Sequence, residues 1–117
     1  MATVLIVDDH ATFRSSARRL LEAEGFEVVG EAVDGESALE EAAALAPDVV
    51  LLDVQLPDIN GFEVASRMTD SDAGPAVILI SSRDGQDFGP MIKASGALGF
   101  VAKAELSGER LRALLDG

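Results

Sequence analysis

Three aspartates stand where two apolar segments of the chain end. Asp8 and Asp9 directly follow residues 4–7, and Asp53 directly follows residues 49–52. Both segments are continuous in Val, Ile and Leu, which is typical of buried parallel strands. Ligand sites in an open parallel sheet lie beyond the carboxyl ends of the strands. If the two strands are neighbours, we expect the three carboxylates to converge on one pocket.

The chemistry of such a pocket follows from its charge. Carboxylates this close cannot all stay ionised without a counter-cation, so the pocket either binds a metal ion or shares a proton. Oxygen ligands suit Mg²⁺, which is commonly held by one or two carboxylates, water and phosphate oxygens. An Asp-Asp pair after a strand is often only a loop or a helix cap, but the recurrence of an acid at Asp53 favours the cation site. Asp53 is also a candidate nucleophile, because a carboxylate that attacks phosphorus forms an acyl phosphate.

Polar groups end two further apolar segments. Ser81 follows residues 76–80 and Lys103 follows residues 99–102. A hydroxyl and an ammonium group can both contact phosphoryl oxygens. Lys103 is one of only two lysines in the chain, which favours a role over a side chain that merely reaches solvent from a strand end. His10, the single histidine, is interpreted as a loop residue at the start of the first helix rather than as a metal ligand or proton carrier.

The elements that position these residues alternate between strand and helix five times. The first helix is predicted over residues 11–24 and ends at Gly25. A short second strand lies around Val28 and Val29. The second helix is predicted over residues 35–45, capped by Asp34 and stopped by Pro47. Its inward side chains are expected to be Ala38, Leu39, Ala42 and Leu45.

The second half of the chain carries its own start and stop signals. Asn60 and Glu63 resemble a capping box for the third helix. Gly89 and Pro90 lie in the expected first turn of the fourth helix, so we expect that helix to start late or to be loosely formed. Ser107 is predicted to cap the last helix, with Leu106 packing onto Leu111 across the cap.

This alternation predicts an α/β fold in which helices cover both faces of a five-stranded parallel sheet. Because crossovers are right-handed, few strand orders are available. We expect the flavodoxin-like, doubly wound order 2-1-3-4-5, with five helices. That order brings the candidate residues to one edge of the sheet: Asp8, Asp9, Asp53, Ser81 and Lys103.

Composition limits the class of protein. The 117 residues are 48% hydrophobic and contain no cysteine, which indicates a single globular domain, residues 1–117, without disulfides or thiolate metal sites. The net charge of −12 argues against direct binding to nucleic acids or anionic membranes. No targeting segment is visible, and no apolar stretch approaches the roughly 20 residues of a membrane span. We therefore expect a cytoplasmic protein.

Two other classes of site are disfavoured by the motifs. The first strand–helix loop lacks both the Gly-x-Gly-x-x-Gly pattern and a P-loop lysine, so nucleotide binding is not indicated. There is no Gly-x-Ser-x-Gly elbow, which disfavours a serine hydrolase.

Taken in order, the motifs resemble the response-regulator receiver domain over essentially the whole chain. They are Val-Leu-Ile-Val-Asp-Asp-His at residues 4–10, Asp-Val-Val-Leu-Leu-Asp at 48–53, Leu-Pro-Asp-Ile-Asn-Gly at 56–61, Ile-Ser at 80–81 and Gly-Phe-Val-Ala-Lys at 99–103. The start Val-Asp-Asp-His is similar to receivers that precede a helix-turn-helix output domain.

This resemblance implies a set of roles. Asp53 is the phosphoacceptor and receives its phosphoryl group from a phosphohistidine on a sensor histidine kinase or phosphotransfer protein. Asp8 and Asp9 hold Mg²⁺, with Asp9 and Asp53 as direct ligands and the main-chain carbonyl of Gln55 as a further ligand. Lys103 pairs with Asp53 and then with the phosphoryl group.

The resemblance also implies a switch and a readout. Ser81 is the switch hydroxyl, and Phe100 is the aromatic residue that turns inward when Ser81 moves. Gln55 and Arg83 overlook the phosphoryl group and influence its lifetime. The readout surface is formed by the fourth helix, the fifth strand and the fifth helix. Ala104 departs from the pattern, because many receivers have proline there.

Three functions are weighed on these residues. A phosphorylation-switched receiver, a signalling switch rather than an enzyme with outside substrates, is favoured. A small magnesium-dependent phosphatase would need an Asp-x-Asp after the first strand, whereas the chain has Asp8, Asp9 and His10. A binding module that no longer phosphorylates is disfavoured because every acceptor residue is present. Expected partners are the kinase, an output domain or effector protein, and a second copy in a phosphorylation-dependent homodimer.

Overall fold

A parallel five-stranded sheet organises the computed structural model, which describes residues 2–70, 74–82 and 88–116. The strand order is β2-β1-β3-β4-β5, as the alternation of elements predicted. The strands are β1 (Thr3–Val7), β2 (Glu27–Ala32), β3 (Val49–Asp53), β4 (Ala76–Ser81) and β5 (Gly99–Ala102). The helices are α1 (Ala11–Ala23), α2 (Gly35–Leu45), α3 (Gly61–Met68), α4 (Gly89–Ala94) and α5 (Gly108–Asp116).

Two hydrophobic layers hold the helices against the sheet. On one face, α1 and α5 pack through Leu21 and Leu111. On the other face, α2, α3 and α4 pack through Ala38, Val64 and Ile92. The strand side chains alternate between these layers, so that β1 and β3 are covered on both sides, and residues 4–7 and 49–53 are buried. This double coverage explains why their sequences are continuously apolar.

Local signals set most of the helix ends. Gly25, which follows the C-cap residue Glu24 of α1, adopts a φ of +92°, a conformation that glycine tolerates without strain. The Asp34 side chain accepts a hydrogen bond from the Ser37 N–H at 2.8 Å, and a reciprocal bond completes a capping box at α2. The Ser107 hydroxyl accepts from the Arg110 N–H at 3.1 Å, which confirms the predicted cap of α5.

Two predictions about the helices need correction. Leu45 was expected to face inward, but it is 39% exposed. It lies at the end of α2 over edge strand β2, where Gly30 offers no side chain to cover it. Asn60 accepts a hydrogen bond from the Glu63 N–H at 2.9 Å, but only this half of the expected capping box forms.

The fourth helix is short and contributes no buried side chain, but it does not start after Gly89 and Pro90, which was one of the two expectations from its sequence. Helix α4 has six residues, begins at Gly89 with Pro90 in its first turn, and buries none of its side chains. Proline is tolerated in a first turn because its missing N–H would have no helical partner there. Helix α4 is therefore held mainly by half-buried contacts such as Ile92.

Candidate functional site

The central strand pair brings two of the predicted carboxylates together. Strands β1 and β3 are parallel neighbours with Val7 opposite Leu52, so Asp8 and Asp53 leave the sheet side by side. Asp8 is completely buried and Asp53 is 3% exposed. Asp9, the next residue, keeps its carboxylate partly open, with 38% of the side chain exposed. The pocket thus has a buried floor and an accessible rim.

Backbone groups hold the carboxylates in place. Asp8 Oδ1 accepts a hydrogen bond from the His10 N–H at 2.8 Å. Asp53 Oδ1 accepts one from the Gln55 N–H at 3.1 Å. In both cases the carboxylate is oriented by an N–H two residues further along the chain, so the turns after β1 and β3 have the same hydrogen-bond pattern.

Lys103 supplies the cation between the two acids. Its Nζ lies 2.5 Å from Asp8 Oδ2 and 3.3 Å from Asp53 Oδ2. The same ammonium group lies 4.6 Å from the ring centroid of Phe13 on α1, a distance at which a cation is attracted to an aromatic face. Lys103 is placed there by the end of β5, which adjoins β4 rather than β3. Its side chain must therefore reach across the sheet edge.

Burial and charge perturb both ends of this pair. Burial raises the pKa of Asp53, and the neighbouring Asp8 carboxylate raises it further, while the Gln55 N–H and Lys103 partly oppose the rise. Burial by itself lowers the pKa of Lys103, but the Asp8 and Asp53 carboxylates outweigh that effect, and the pKa is raised overall. Lys103 is therefore a permanent cation in this pocket, whereas the ionised form of Asp53 is disfavoured.

A glycine lets the backbone close under Asp53. A Cβ atom added to Gly61 would contact the carbonyl oxygen of Asp53 and would lie 2.6 Å from Val54 Cα. The Gly61 N–H also donates to the Val54 carbonyl at 2.9 Å. The loop between β3 and α3 therefore folds back directly onto the acidic residue, and only glycine leaves room for this approach.

The pocket has the composition of a divalent-cation site. Ligand atoms of four residues lie within 4.8 Å of one another: Asp8, Asp9, His10 and Asp53. Asp8 Oδ2 is buried and contacts the Lys103 Nζ at 2.5 Å. One ammonium group leaves the clustered carboxylates with excess negative charge, and carboxylate oxygens match the ligand preference of Mg²⁺. The residues present therefore fit that ion.

His10 occupies the rim of the pocket. Its Nδ1 lies 3.0 Å from Asp8 Oδ1 and 3.1 Å from Asp9 Oδ1. The ring is 68% exposed, and His10 is the N-cap residue of α1 without a side-chain cap bond. It thus lies at the start of the first helix, as expected, and its ring contacts both members of the acidic pair.

The predicted switch residues lie on β4 and β5. Ser81 is buried at the carboxyl end of β4 and pairs with Ala102. Phe100 is half-buried on β5, and its ring centroid lies 6.0 Å from that of Phe88, which in turn lies 5.4 Å from Phe62. Arg83, the other predicted lifetime position, lies outside the described residues.

Sequence reasoning missed the contribution of α1 to this site. The contact of the Phe13 ring with Lys103 was not anticipated. Arg14 was not singled out, yet its guanidinium group donates to the Asp8 carbonyl oxygen at 2.6 Å. The sequence feature that could have indicated this contact is the spacing of Arg14 and Arg18, which puts both on one face of α1. An acid, Glu31, lies in the edge strand β2.

Comparison with known proteins defines the class. Residues 4–116 match the family model of the response regulator receiver domain. The chain belongs to this family, the receiver domains of two-component response regulators.

Individual relatives support the same assignment. The chain is 40% identical over 113 residues to a putative transcriptional regulator from Pseudomonas aeruginosa, which covers 97% of this chain and 55% of that protein. It is 36% identical to the response regulator GacA of Pseudomonas syringae, over 97% of this chain and 54% of that protein. The chain spans about half the length of these curated relatives.

A solved structure agrees closely with the fold. The receiver domain of the putative response regulator NarL from Mycobacterium tuberculosis superposes with a TM-score of 0.88 at 38% identity, covering 98% of this chain and 94% of that one.

Within the described part of the chain, none of the helices has the length and apolar character that a membrane crossing requires.

Proposed function

We propose that this chain is a phosphorylation-switched receiver in which Asp53 accepts a phosphoryl group from a phosphohistidine in a magnesium-dependent reaction. The observation that carries the proposal is the pairing of the buried Asp53 carboxylate with Lys103 at 3.3 Å, beside the buried Asp8. A nucleophilic carboxylate, a fixed cation and a second acid that needs a metal are thereby gathered at one accessible edge.

The transfer is a displacement at phosphorus. An oxygen of the Asp53 carboxylate attacks the phosphorus atom, and an O–P bond forms as the P–N bond to the donor imidazole breaks. The electron pair of that bond stays on the imidazole nitrogen, and the product is an acyl phosphate on Asp53. The backbone N–H of Gln55 keeps the carboxylate oriented through Oδ1. Positioning and charge neutralisation are the main requirements of this chemistry.

The cation would be held by the acidic cluster. Asp8, Asp9 and Asp53 would supply carboxylate oxygens, and Gln55 would supply its main-chain carbonyl. When bound, Mg²⁺ offsets negative charge on the acids and on the phosphoryl oxygens. The role of Asp8 is then twofold, because the same residue also binds Lys103.

The remaining residues convert the modification into a switch. The added phosphoryl group brings negative charge and acceptor oxygens to one spot. Lys103 moves its contact to a phosphoryl oxygen, and the Ser81 hydroxyl donates to another. Phe100 turns inward behind Ser81 and alters the surface formed by α4, β5 and α5. Gln55 and Arg83 influence how long the phosphoryl group survives.

The same proposal defines the partners. A sensor histidine kinase or phosphotransfer protein supplies the phosphoryl group, and an output domain or effector protein reads the surface of α4, β5 and α5. Since the relatives are about twice as long and include transcriptional regulators, we propose a transcriptional output and a phosphorylation-dependent homodimer. The receiver itself is a cytoplasmic signalling switch rather than an enzyme that turns over outside substrates, and at a net charge of −12 it does not bind DNA directly.

Intact-protein mass spectrometry after incubation with acetyl phosphate tests the proposal. The wild type is expected to gain one phosphoryl group only when Mg²⁺ is present, and Asp53→Asn is expected to gain none. Asp48→Asn is the matched control, because it changes the aspartate at the other end of β3 and should leave phosphoryl uptake intact. Equal uptake by Asp53→Asn would contradict the assignment of the acceptor, and sustained phosphate release from outside phosphoesters would favour a phosphatase.

A further inference from the structure

Arg14 connects the acidic pocket to the edge of the sheet. Its Nη1 donates to the main-chain carbonyl oxygen of Asp8 at 2.6 Å, and its Nε donates to Glu31 Oε1 on β2 at 3.0 Å. Only 16% of the side chain is exposed. A guanidinium group presents its N–H donors in a rigid plane, so these two bonds fix Arg14 and the Asp8 carbonyl relative to each other.

The carbonyl that Arg14 contacts belongs to the peptide group that carries Asp9. On the other side of the residue, the Asp8 N–H donates to the Ala32 carbonyl at 3.1 Å, and the Asp8 side chain is tied to the His10 N–H. The orientation of the Asp8–Asp9 peptide plane therefore depends on the hydrogen bond that Arg14 donates to its carbonyl oxygen. Rotation of this plane would swing the exposed Asp9 carboxylate away from Asp8 and Asp53.

Glu31 orients Arg14 in turn. Its second oxygen, Oε2, accepts from Arg18 Nε at 2.9 Å. Hydrogen bonds from Arg18 and then Arg14 lower the pKa of Glu31 against the opposing effect of its burial. The carboxylate is thus ionised at neutral pH and shared by two arginines, of which only Arg14 contacts the pocket.

We propose that Arg14 is a positioning residue for the cation site: by holding the Asp8–Asp9 peptide plane, it aims the Asp9 carboxylate at the pocket and raises the affinity for a divalent cation. This inference rests on the proposed function, since it concerns the ion at the same site. Removal of a group that orients a metal ligand typically costs about 10- to 100-fold in affinity, and we expect about a tenfold loss here.

Charge alone predicts the opposite sign. Arg14 is a cation near the pocket, so its removal would reduce electrostatic repulsion of Mg²⁺ and tighten binding. Arg18 is the matched control because it shares the Glu31 carboxylate, lies four residues along the same helix and does not contact Asp8. Substitution by methionine keeps most of the apolar stem while removing the charge from either residue.

The test is a Mg²⁺ titration of the full chain, followed by backbone amide NMR shifts, on the wild type, Arg14→Met and Arg18→Met. We expect about tenfold weaker binding for Arg14→Met and a change of less than about twofold for Arg18→Met, with the largest difference in the amide shifts of Asp9 and His10. Unchanged or tighter binding by Arg14→Met, or an equal loss in both variants, would overturn the inference.

A second variant and a kinetic readout guard against misfolding. Arg14→Lys keeps the charge but loses the planar fork, so it should also bind Mg²⁺ more weakly than Arg18→Lys does; equal affinities would count against positioning. In phosphorylation by acetyl phosphate, saturating Mg²⁺ should restore the rate of the Arg14 variants. If the wild type bound no Mg²⁺, the proposed function itself would be contradicted. If the wild type and Arg14→Met bound Mg²⁺ equally well, only the inference about Arg14 would be refuted.

Discussion

Two aspartates flank strand β3 and illustrate how differently the ends of one strand are used. Asp48 precedes the strand, is exposed, and accepts hydrogen bonds from the Thr3 N–H at 2.9 Å and the Thr3 hydroxyl at 3.1 Å. These bonds lower its pKa. Asp53 ends the strand, is buried beside Asp8, and has a raised pKa. The same type of side chain is a structural link at one end and a buried candidate for chemistry at the other.

The difference lies in what surrounds each carboxylate. At the amino end, the Asp48 carboxylate faces solvent and the neutral donors of Thr3, so its ionisation costs little free energy. Its hydrogen bonds to Thr3 join the start of β3 to the start of β1. At the carboxyl end, Asp53 shares Lys103 with a second buried acid. One ammonium group cannot neutralise two carboxylates, and the excess negative charge makes this end receptive to a further cation. The Asp48 carboxylate is thus a structural link between two strands, whereas the Asp53 carboxylate is available for chemistry.

The largest expected effect concerns the backbone that closes under Asp53. Gly61→Ala places a Cβ against the Asp53 carbonyl and Val54, and we expect it to lower the free energy of unfolding by about 3 kcal/mol, as overpacking against rigid backbone does. Gly89→Ala is the control, since nothing lies within 4 Å of its added Cβ, and should change stability by less than about 1 kcal/mol. Urea unfolding measures both, and equal effects would contradict the close approach.

The next effect concerns the shared cation. Lys103→Met leaves the buried Asp8 and Asp53 without their ammonium group, and we expect the free energy of unfolding to fall by about 2 kcal/mol at neutral pH. Because a divalent cation can take over the neutralising role, added Mg²⁺ should recover part of this loss. Urea unfolding with and without Mg²⁺ is the measurement.

Arg110→Met provides the comparison for Lys103→Met. Arg110 and Glu105 form an exposed ion pair at 3.7 Å, and its loss should cost no more than about 0.5 kcal/mol. If both variants lost the same stability, Lys103 would be an ordinary surface charge.

A smaller effect separates the two aspartates by sign. Asp53→Asn removes a buried charge next to Asp8 and should raise the free energy of unfolding by about 1 kcal/mol at pH 7, because the relief of burial and of repulsion from Asp8 outweighs the lost attraction to Lys103. Asp48→Asn weakens the bonds from Thr3 and should lower the melting temperature. Thermal unfolding of the two variants in parallel is sufficient, and shifts of the same sign would break the comparison.

The smallest effect is the pH dependence of these two positions. The raised pKa of Asp53 means that the native state binds more protons than the unfolded state above the ordinary value of 3.8, so stability falls as pH rises through that window. The lowered pKa of Asp48 contributes stability that is lost as pH falls below the same value. The free energy of unfolding, measured by urea unfolding from pH 3 to pH 7, should depend less on pH above 3.8 in Asp53→Asn than in the wild type. In Asp48→Asn the dependence should be weaker below that value.

Much of the fold followed from local patterns. The apolar runs before Asp8 and Asp53 identified β1 and β3, and the capping residues Asp34 and Ser107 marked where α2 and α5 begin. Leu45 was misjudged because helical periodicity shows which face is apolar but not where the sheet beneath it ends. The half-formed cap at Asn60 has a similar origin, since sequence shows which bonds are available and not which geometry the neighbouring loop permits.

Periodicity and turn chemistry within short segments were enough to predict the alternation of strands and helices and the acidic, serine and lysine residues at the strand ends. Long-range packing was needed to show that Lys103 contacts Asp8 as well as Asp53, that Phe13 and Arg14 join the site, and that the pKa values of Asp48 and Asp53 shift in opposite directions. These properties arise from contacts between residues far apart in the chain, whose distances and burial are set by the packing of the whole sheet and its helices.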